Sequence, residues 1–314
     1  MQLSSTTPGT RLTGEATLRL TGAARDLVTI AGDATIVGAA SVTAAADGLG
    51  RLTEITAGSV VPPASLDALV GSSVRAGFRA AAAAAVPDEV AASTPLALLL
   101  DDLPVAALIS GYALLYEGRV PHDAAQQSMK SDICSGWRAD GTMMSSVRAG
   151  RGVPVTIGPS APPIELDADI DPDGWHVIGP LGPGMMRRRR LVDVTVTPNA
   201  WDIVAMFRDT HADGDGSETV LHEYQVTASV DPETRVFTSC RAVPRVLPWV
   251  ECPVAAASAD RLCGQPVDDV RAIVRNHFHG VSTCTHLNDL LRSLGDVGAL
   301  AAALEPSIGG RAHG

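Results

Sequence analysis

The sequence predicts an α+β protein that contains an internal duplication of a ββββαα unit, with helices packed on antiparallel sheets. Three observations lead to this prediction. Five blocks of residues recur in the same order, short β-branched runs open each copy, and helical patterns close it. Strands that precede helices, instead of alternating with them, are typical of α+β domains and not of a doubly wound sheet.

The recurring blocks align the two halves of the chain. Residues 21–33 (TGAARDLVTIAGD) correspond to 197–209 (TPNAWDIVAMFRD), and residues 65–71 (SLDALVG) correspond to 258–264 (SADRLCG). A shared turn would give a single matching block, so five blocks in one order favour a tandem duplication. The other pairs are 42–47 with 226–231, 74–79 with 270–275, and 94–105 with 285–297.

The secondary structure follows the same order in both copies. Runs that alternate or are rich in β-branched residues, separated by Gly, Asp and Pro, are typical of antiparallel strands. Apolar residues at three- and four-residue spacing then predict helices. We expect strands at 16–20, 26–30, 34–45 and 51–56 and again at 191–196, 203–207, 219–230 and 235–240, and helices at 74–85, 96–108, 267–278 and 287–300.

These elements divide the chain into four parts. The first repeat covers residues 10–118, and a Gly- and Pro-rich connection that can serve as a lid covers 119–186. The second repeat covers 187–304, and a flexible tail covers 305–314. The two sheets either pack face to face or join into a larger sheet in a pseudo-twofold arrangement, and the sequence does not choose between these.

Composition narrows the classes of function. The 314 residues carry 24 basic and 35 acidic side chains, a net charge of −11, which argues against nucleic acid or an anionic membrane as a partner. The apolar stretch 80–86 is far shorter than the roughly 20 residues that cross a bilayer. Five unevenly spaced cysteines and an N-terminus without a secretory pattern lead us to expect a cytoplasmic protein with reduced thiols. The sequence does not decide whether the protein forms a homo-oligomer.

Reactive residue types are concentrated in the second repeat. The first repeat contains neither His nor Cys, whereas the second holds four of the five cysteines. In residues 282–289 (STCTHLND), Ser282 or Thr283 is the expected N-cap of the last helix. Cys284 would then lie at a helix N-terminus, where the macrodipole lowers the pKa of a thiol, with His286 two residues later. The alternative is a capping box with a buried cysteine and a structural histidine.

A second candidate, His222, lies in the strand expected at 219–230. Because successive residues of a strand face opposite sides, His222 shares a face with Tyr224, and Glu223 points the other way. We therefore expect His222 and Tyr224 to line a pocket, with the alternative that His222 is structural.

Asp209 and His211 lie at the start of a polar loop, residues 211–216 (HADGDG). They offer a carboxylate and an imidazole for substrate binding, or they belong to a mobile surface hairpin. The loop lacks the ligand order and the closing Glu of an EF-hand calcium site.

The connection between the repeats contains residue types that are unusual in a linker. Lys130 is the only lysine of the chain. It either performs chemistry that arginine cannot, such as Schiff-base formation or proton transfer, or it lies on the surface by chance. Trp137 is expected to be partly buried, because an exposed indole would leave a large apolar surface in water. Both residues are candidates for the wall of a pocket.

Four consecutive arginines, 187–190, precede the first strand of the second repeat. Arg187 and Arg189 are candidates for binding a substrate carboxylate, because a guanidinium offers two parallel hydrogen bonds. The alternative is that alternate arginines solvate the strand and pair with acidic groups on the surface.

No cofactor is predicted. The cysteines lack a Cys-x-x-Cys pair, which argues against a structural zinc site. The chain also lacks a Gly-rich nucleotide loop, a Gly-x-Ser-x-Gly elbow and a His-Glu-x-x-His motif. A catalytic metal bound by His222, His286 and a carboxylate stays open, since ligands from distant elements can converge in a fold.

The second repeat resembles a bacterial family of proteins with a domain of unknown function, family 2889. The resemblance covers about residues 185–300, with the first repeat as a weaker extension, and Cys-Thr-His-Leu at 284–287 is its most recognisable element. No family-wide reaction is known, so the resemblance draws attention to Cys284 and His286 but gives them no role. The other segments that carry it are 187–193 (RRRRLVD), 221–224 (LHEY), 251–253 (ECP) and 262–264 (LCG).

These residues predict an enzyme that acts on a small organic molecule, aromatic or carboxylate-bearing, by acid–base bond cleavage or proton transfer. It would be a lyase or a hydrolase, with His222 and His286 as acid and base and with Cys284 and Lys130 as further catalytic candidates. The alternative is a noncatalytic ligand-binding or assembly protein in which His and Cys are structural. The asymmetry favours the enzyme, because a scaffold needs no polar groups in only one copy.

Overall fold

The computed structural model describes residues 2–6, 18–59, 63–119, 131–162, 176 and 179–309. By its internal contacts the chain divides into two compact units, each made of three segments. Unit 1 consists of Met1–Glu117, Ser160–Arg189 and Asp209–Thr219, and unit 2 of Gly118–Pro159, Arg190–Arg208 and Val220–Gly314.

Unit 1 is built on an antiparallel sheet. Its strands are β1 (Gln2–Thr6), β2 (Leu18–Ile30), β3 (Asp33–Ala46), β4 (Leu52–Gly58) and the first residues of β5 (Met186–Val196). Their order is β4-β3-β2-β1-β5, and β1 pairs in antiparallel fashion with both of its neighbours.

Helices follow the strands of unit 1. They are α1 (Pro63–Asp67), α2 (Phe78–Ala85), α3 (Pro87–Ala91) and α4 (Pro95–Tyr116). Thr94 caps α4, because its hydroxyl accepts a hydrogen bond from the backbone N–H of Ala97. α4 packs against β1, β2 and β3. Leu99 and Leu103 of this helix join Phe78 in the core of the unit.

Among the described residues, α4 is the one helix whose length and composition would allow it to cross a membrane. It has 22 residues, and 61% of its most apolar stretch is buried inside the protein, as in the core helix of a domain. The helix continues through Pro104 and Gly111.

Unit 2 continues with β6 (Trp201–Ala212), β7 (Glu218–Asp231) and β8 (Val236–Val246), in the order β5-β6-β7-β8. β7 and β8 are antiparallel. The boundary between the units falls inside β5, β6 and β7, so these strands contribute residues to both. The helices of unit 2 are α5 (Thr142–Arg148), α6 (Val270–His277), α7 (Thr285–Ser293) and α8 (Val297–Gly309).

One face of the sheet in unit 2 is covered by helices. Phe207 of β6 and Tyr224 and Val226 of β7 share a core with Leu287 and Leu290 of α7. Since successive residues of a strand alternate between faces, these positions define the helix-covered face of β6 and β7.

The turn between β3 and β4 and the turn between β7 and β8 have the same pattern of hydrogen bonds to the segment that follows. Gly50 and Arg235 lie at corresponding places with φ of 77° and 56°, and so do Gly71 and Gly264 with φ of 87° and 79°. Three backbone hydrogen bonds also recur in the same order. In unit 1 they run from Gly71 N–H to Leu52 O, from Leu52 N–H to Ser72 O and from Val74 N–H to Gly50 O. In unit 2 their counterparts run from Gly264 N–H to Phe237 O, from Phe237 N–H to Gln265 O and from Val267 N–H to Arg235 O.

The predicted α+β class is confirmed, with differences in the elements. The helix expected at 287–300 is split into α7 and α8 by a 3₁₀ turn at Leu294–Asp296. Gly295 lies in that turn, and a Cβ there would come within 2.5 Å of the guanidinium of Arg271. A long 3₁₀ segment, Cys252–Leu262, follows β8.

Candidate functional site

The structure brings together the two histidines that the sequence singles out. The rings of His222 in β7 and His286 in α7 are stacked, with centroids 3.9 Å apart and an angle of 17° between their planes. Both side chains are half-buried. A nitrogen of one ring lies within 4.8 Å of a nitrogen of the other, so the pair can share a proton acceptor or offer two ligands to one metal ion.

Strand alternation places His222 on the helix-covered face. Tyr224, two residues later, is fully buried in the core under the helices. Glu223 points to the opposite face, where it forms an ion pair with Arg208. These contacts agree with the expectation that His222 and Tyr224 share one face of the strand and that Glu223 points the other way. Phe207 was not singled out by the sequence, yet its ring lies 6.0 Å from that of Tyr224 and 6.4 Å from that of His286.

His286 is placed by the first turn of α7. Cys284 is the N-cap in extended conformation, and its side chain makes no capping hydrogen bond. The expected caps are engaged elsewhere: the Ser282 hydroxyl accepts from the guanidinium of Arg261, and the Thr283 hydroxyl donates to the carbonyl of Gly280. The prediction that Ser282 or Thr283 caps this helix is therefore wrong.

Cys284 lies at the helix N-terminus as expected, but the pKa of its thiol is raised and not lowered. Burial raises the pKa of its thiol to about 12, and this outweighs the lowering by the nearby backbone N–H groups of Leu287 and His286. Burial likewise raises the pKa of Cys252 to about 12 and raises the pKa of Cys134 and of Tyr224. These groups are protonated at neutral pH, so Cys284 is a neutral thiol and not an activated nucleophile.

The connection between the repeats is divided between the units: residues 131–159 belong to unit 2, and its described residues from 160 onward belong to unit 1. Trp137 is half-buried against a small cluster formed by Met143, Met144 and Val147. This agrees with the expected burial of the indole, while the role of residues 119–186 as a lid stays a prediction. Lys130 lies outside the described residues.

The arginine run is not a solvated strand surface. Arg187 and Arg188 are buried in unit 1. The guanidinium of Arg187 donates to the carbonyl of Gly179 at 2.8 Å and lies 3.5 Å from the carboxylate of Glu218, so it already has protein partners. Arg189, the other predicted substrate-binding arginine, is half-buried. The alternative of strand-solvating arginines is wrong at 187 and 188, because this part of β5 lies inside the unit.

Asp209 and His211 belong to β6 and not to a mobile hairpin. Both are buried, and only residues 213–217 form the turn between β6 and β7. The Asp209 carboxylate accepts two hydrogen bonds from Arg188, at 2.6 and 2.7 Å. Burial lowers the pKa of His211, whose ring contacts those of Tyr112 and Tyr116. Along β6, Asp209 follows Phe207 by two residues and so leaves the strand on the same face.

The comparisons with known proteins agree with the resemblance read from the sequence. The model of the family described as "Protein of unknown function (DUF2889)" matches residues 185–299, a stretch that includes His222 and His286. The resemblance is confirmed for this part of the chain. No curated protein and no solved structure matches the chain.

Proposed function

We propose that the protein is an enzyme that acts on a small organic molecule, aromatic or carboxylate-bearing, by acid–base bond cleavage or proton transfer. It would be of the lyase or hydrolase type and would need no cofactor. The stacked pair of His222 and His286 carries this proposal, because it joins two proton-exchanging groups on a half-buried surface.

The short distance between the rings favours a state in which one imidazole is protonated and the other is neutral. Two positive charges 3.9 Å apart repel by about 1 kcal/mol in water and about 4 kcal/mol at the dielectric typical near a protein surface. This repulsion favours one proton on the pair. One imidazole can then accept a proton from the substrate while the other donates one, which is the division of labour that acid–base cleavage needs.

The test compares histidines within unit 2. His222→Ala and His286→Ala should each lower turnover about 100-fold or more, since general acid–base groups contribute on that scale. His277→Ala is the matched control, because His277 is exposed near the end of α6. The assay screens small aromatic and carboxylate-bearing esters, lactones and hydroxy acids, with thermal melting as the folding check. Equal turnover in all three variants would contradict the proposal.

A second candidate is a metal-dependent form of the same centre, favoured by the 4.8 Å limit on the distance between ring nitrogens. Two imidazoles on one tetrahedral zinc have nitrogens about 3.3 Å apart at zinc–nitrogen distances near 2.05 Å, so the rings would have to turn. Elemental analysis distinguishes the candidates. Bound metal that is lost in His222→Ala and His286→Ala would make the imidazoles ligands.

The noncatalytic alternative predicts a different result. If the histidines are structural in a ligand-binding or assembly protein, His222→Ala and His286→Ala should melt at clearly lower temperature, and no substrate should be turned over by the wild type. A fully folded variant with lost turnover would argue against it.

We further propose that the chain arose by internal duplication, with the two copies in a pseudo-twofold arrangement. The matching hydrogen bonds and positive φ angles after the hairpins support the duplication, because they recur at places that the sequence alignment relates to within a few residues. A cytoplasmic location and a small-molecule substrate without nucleic acid or membrane partners belong to the same proposal.

A further inference from the structure

The element that carries His286 is hydrogen-bonded to the connection between the repeats. The backbone N–H of Ser135 donates to the carbonyl of Thr283, three residues before His286, at 2.8 Å. The hydroxyl of Ser135 donates to the carbonyl of Cys252 at 3.4 Å. Ser135 and Thr283 are fully buried, so neither group exchanges these partners for water.

The carbonyl of Cys252 also receives a hydrogen bond from the strand that carries His222. The hydroxyl of Tyr224, two residues after His222 on the same face of β7, donates to it at 3.4 Å. A carbonyl oxygen has two lone pairs and can accept both donors. A continuous path therefore runs from Tyr224 through Cys252 and Ser135 to Thr283, and it joins the two elements that bear the histidines.

Packing around Ser135 leaves this path little freedom. A Cβ on the next residue, Gly136, would lie 2.8 Å from Sγ of Cys252 and 3.1 Å from Cδ1 of Trp249. Glu251 accepts hydrogen bonds from both the backbone N–H and the hydroxyl of Thr142 at the start of α5. The short turn around Ser135 is thus held against the segment after β8.

We propose that Ser135 is a positioning residue that keeps His222 and His286 stacked, by bridging the strand of one to the helix of the other. Stacked contact depends on the spacing of β7 and the first turn of α7. Ser135 shares the carbonyl of Cys252 with Tyr224 of β7, and its backbone N–H donates to the carbonyl of Thr283 just before α7. Its importance for catalysis rests on the proposed function, but the geometric role does not.

The test measures ring stacking in the full chain, without a substrate. Stacked rings displace each other's proton resonances upfield, so the Hε1 and Hδ2 shifts of His222 and His286 report the contact. Ser135→Ala should remove most of this displacement while the protein stays folded by circular dichroism. Ser293→Ala is the matched control, because Ser293 is a buried serine whose hydroxyl donates within its own helix, to the carbonyl of Leu290. It should leave the shifts unchanged.

A second variant guards against loss of folding. Tyr224→Phe removes the other donor to Cys252 and should displace the same resonances, even if Ser135→Ala does not fold. Unchanged shifts in a folded Ser135→Ala or a folded Tyr224→Phe would overturn the positioning role. If the rings separate in these variants but His286→Ala keeps full turnover, the proposed function is contradicted. The positioning role of Ser135 would still stand.

Discussion

The ion pair between Arg188 and Asp209 should be a large determinant of the stability of unit 1. Both side chains are 0% exposed, and two hydrogen bonds of 2.6 and 2.7 Å join them. Asp209→Asn keeps the volume of the side chain and removes only its charge, so no cavity contributes. A buried guanidinium left without its carboxylate typically costs about 3–5 kcal/mol, out of a total of about 5–15 kcal/mol for a domain.

A double replacement separates the value of the pair from the penalty of breaking it. Arg188→Met with Asp209→Leu removes both charges, and such apolar replacements of buried pairs are often neutral or stabilising by about 1–4 kcal/mol. The exposed pair Arg235–Asp268 is the control, with 40% and 57% of the side chains exposed and similar hydrogen bonds of 2.5 and 2.7 Å. Asp268→Asn should cost at most about 1 kcal/mol.

The assay is equilibrium unfolding in urea, followed by circular dichroism, for the single and double variants in a mutant cycle. The expected order of stability places Asp209→Asn far below the double variant and below Asp268→Asn. The reasoning would be refuted if Asp209→Asn lost less than Asp268→Asn. It would also be refuted if the double variant were as unstable as the single one.

Two further predictions concern the thiols and the repeated turns. Cys263 is exposed and the other four cysteines are buried, so a disulfide reagent should titrate one thiol in the native protein and five in denaturant. A second fast thiol at Cys284 would restore it as a nucleophile. Gly71→Ala and Gly264→Ala should each cost about 1–2 kcal/mol in urea unfolding, because both glycines have positive φ and nothing else crowds a Cβ there. Clearly unequal costs would weaken the duplication.

Local patterns in the sequence predict the structural features that depend on residues nearby in the chain, such as the face of a strand or the start of a helix. The alternation around His222 gives its face correctly, and the block that contains Cys284 predicts a helix beginning there. The acidity of Cys284 was predicted in the wrong direction, because the macrodipole can be read from the sequence whereas burial depends on what packs over the thiol. Phe207 and Ser135 were missed for the same reason. Their importance comes from contacts with residues far away in the chain.

Strand β1 has one neighbour that is close to it in the chain and another that is far away. Gln2 pairs with Ala23 on one side and with Arg189 on the other, and unit 1 also needs residues 209–219 before its segments are complete. Contacts between residues so distant in the chain slow folding, because a long loop must close before they form. Unit 1 therefore cannot be completed before residues up to 219 have been synthesised. A fragment that ends at the repeat boundary would leave one side of β1 without its partner.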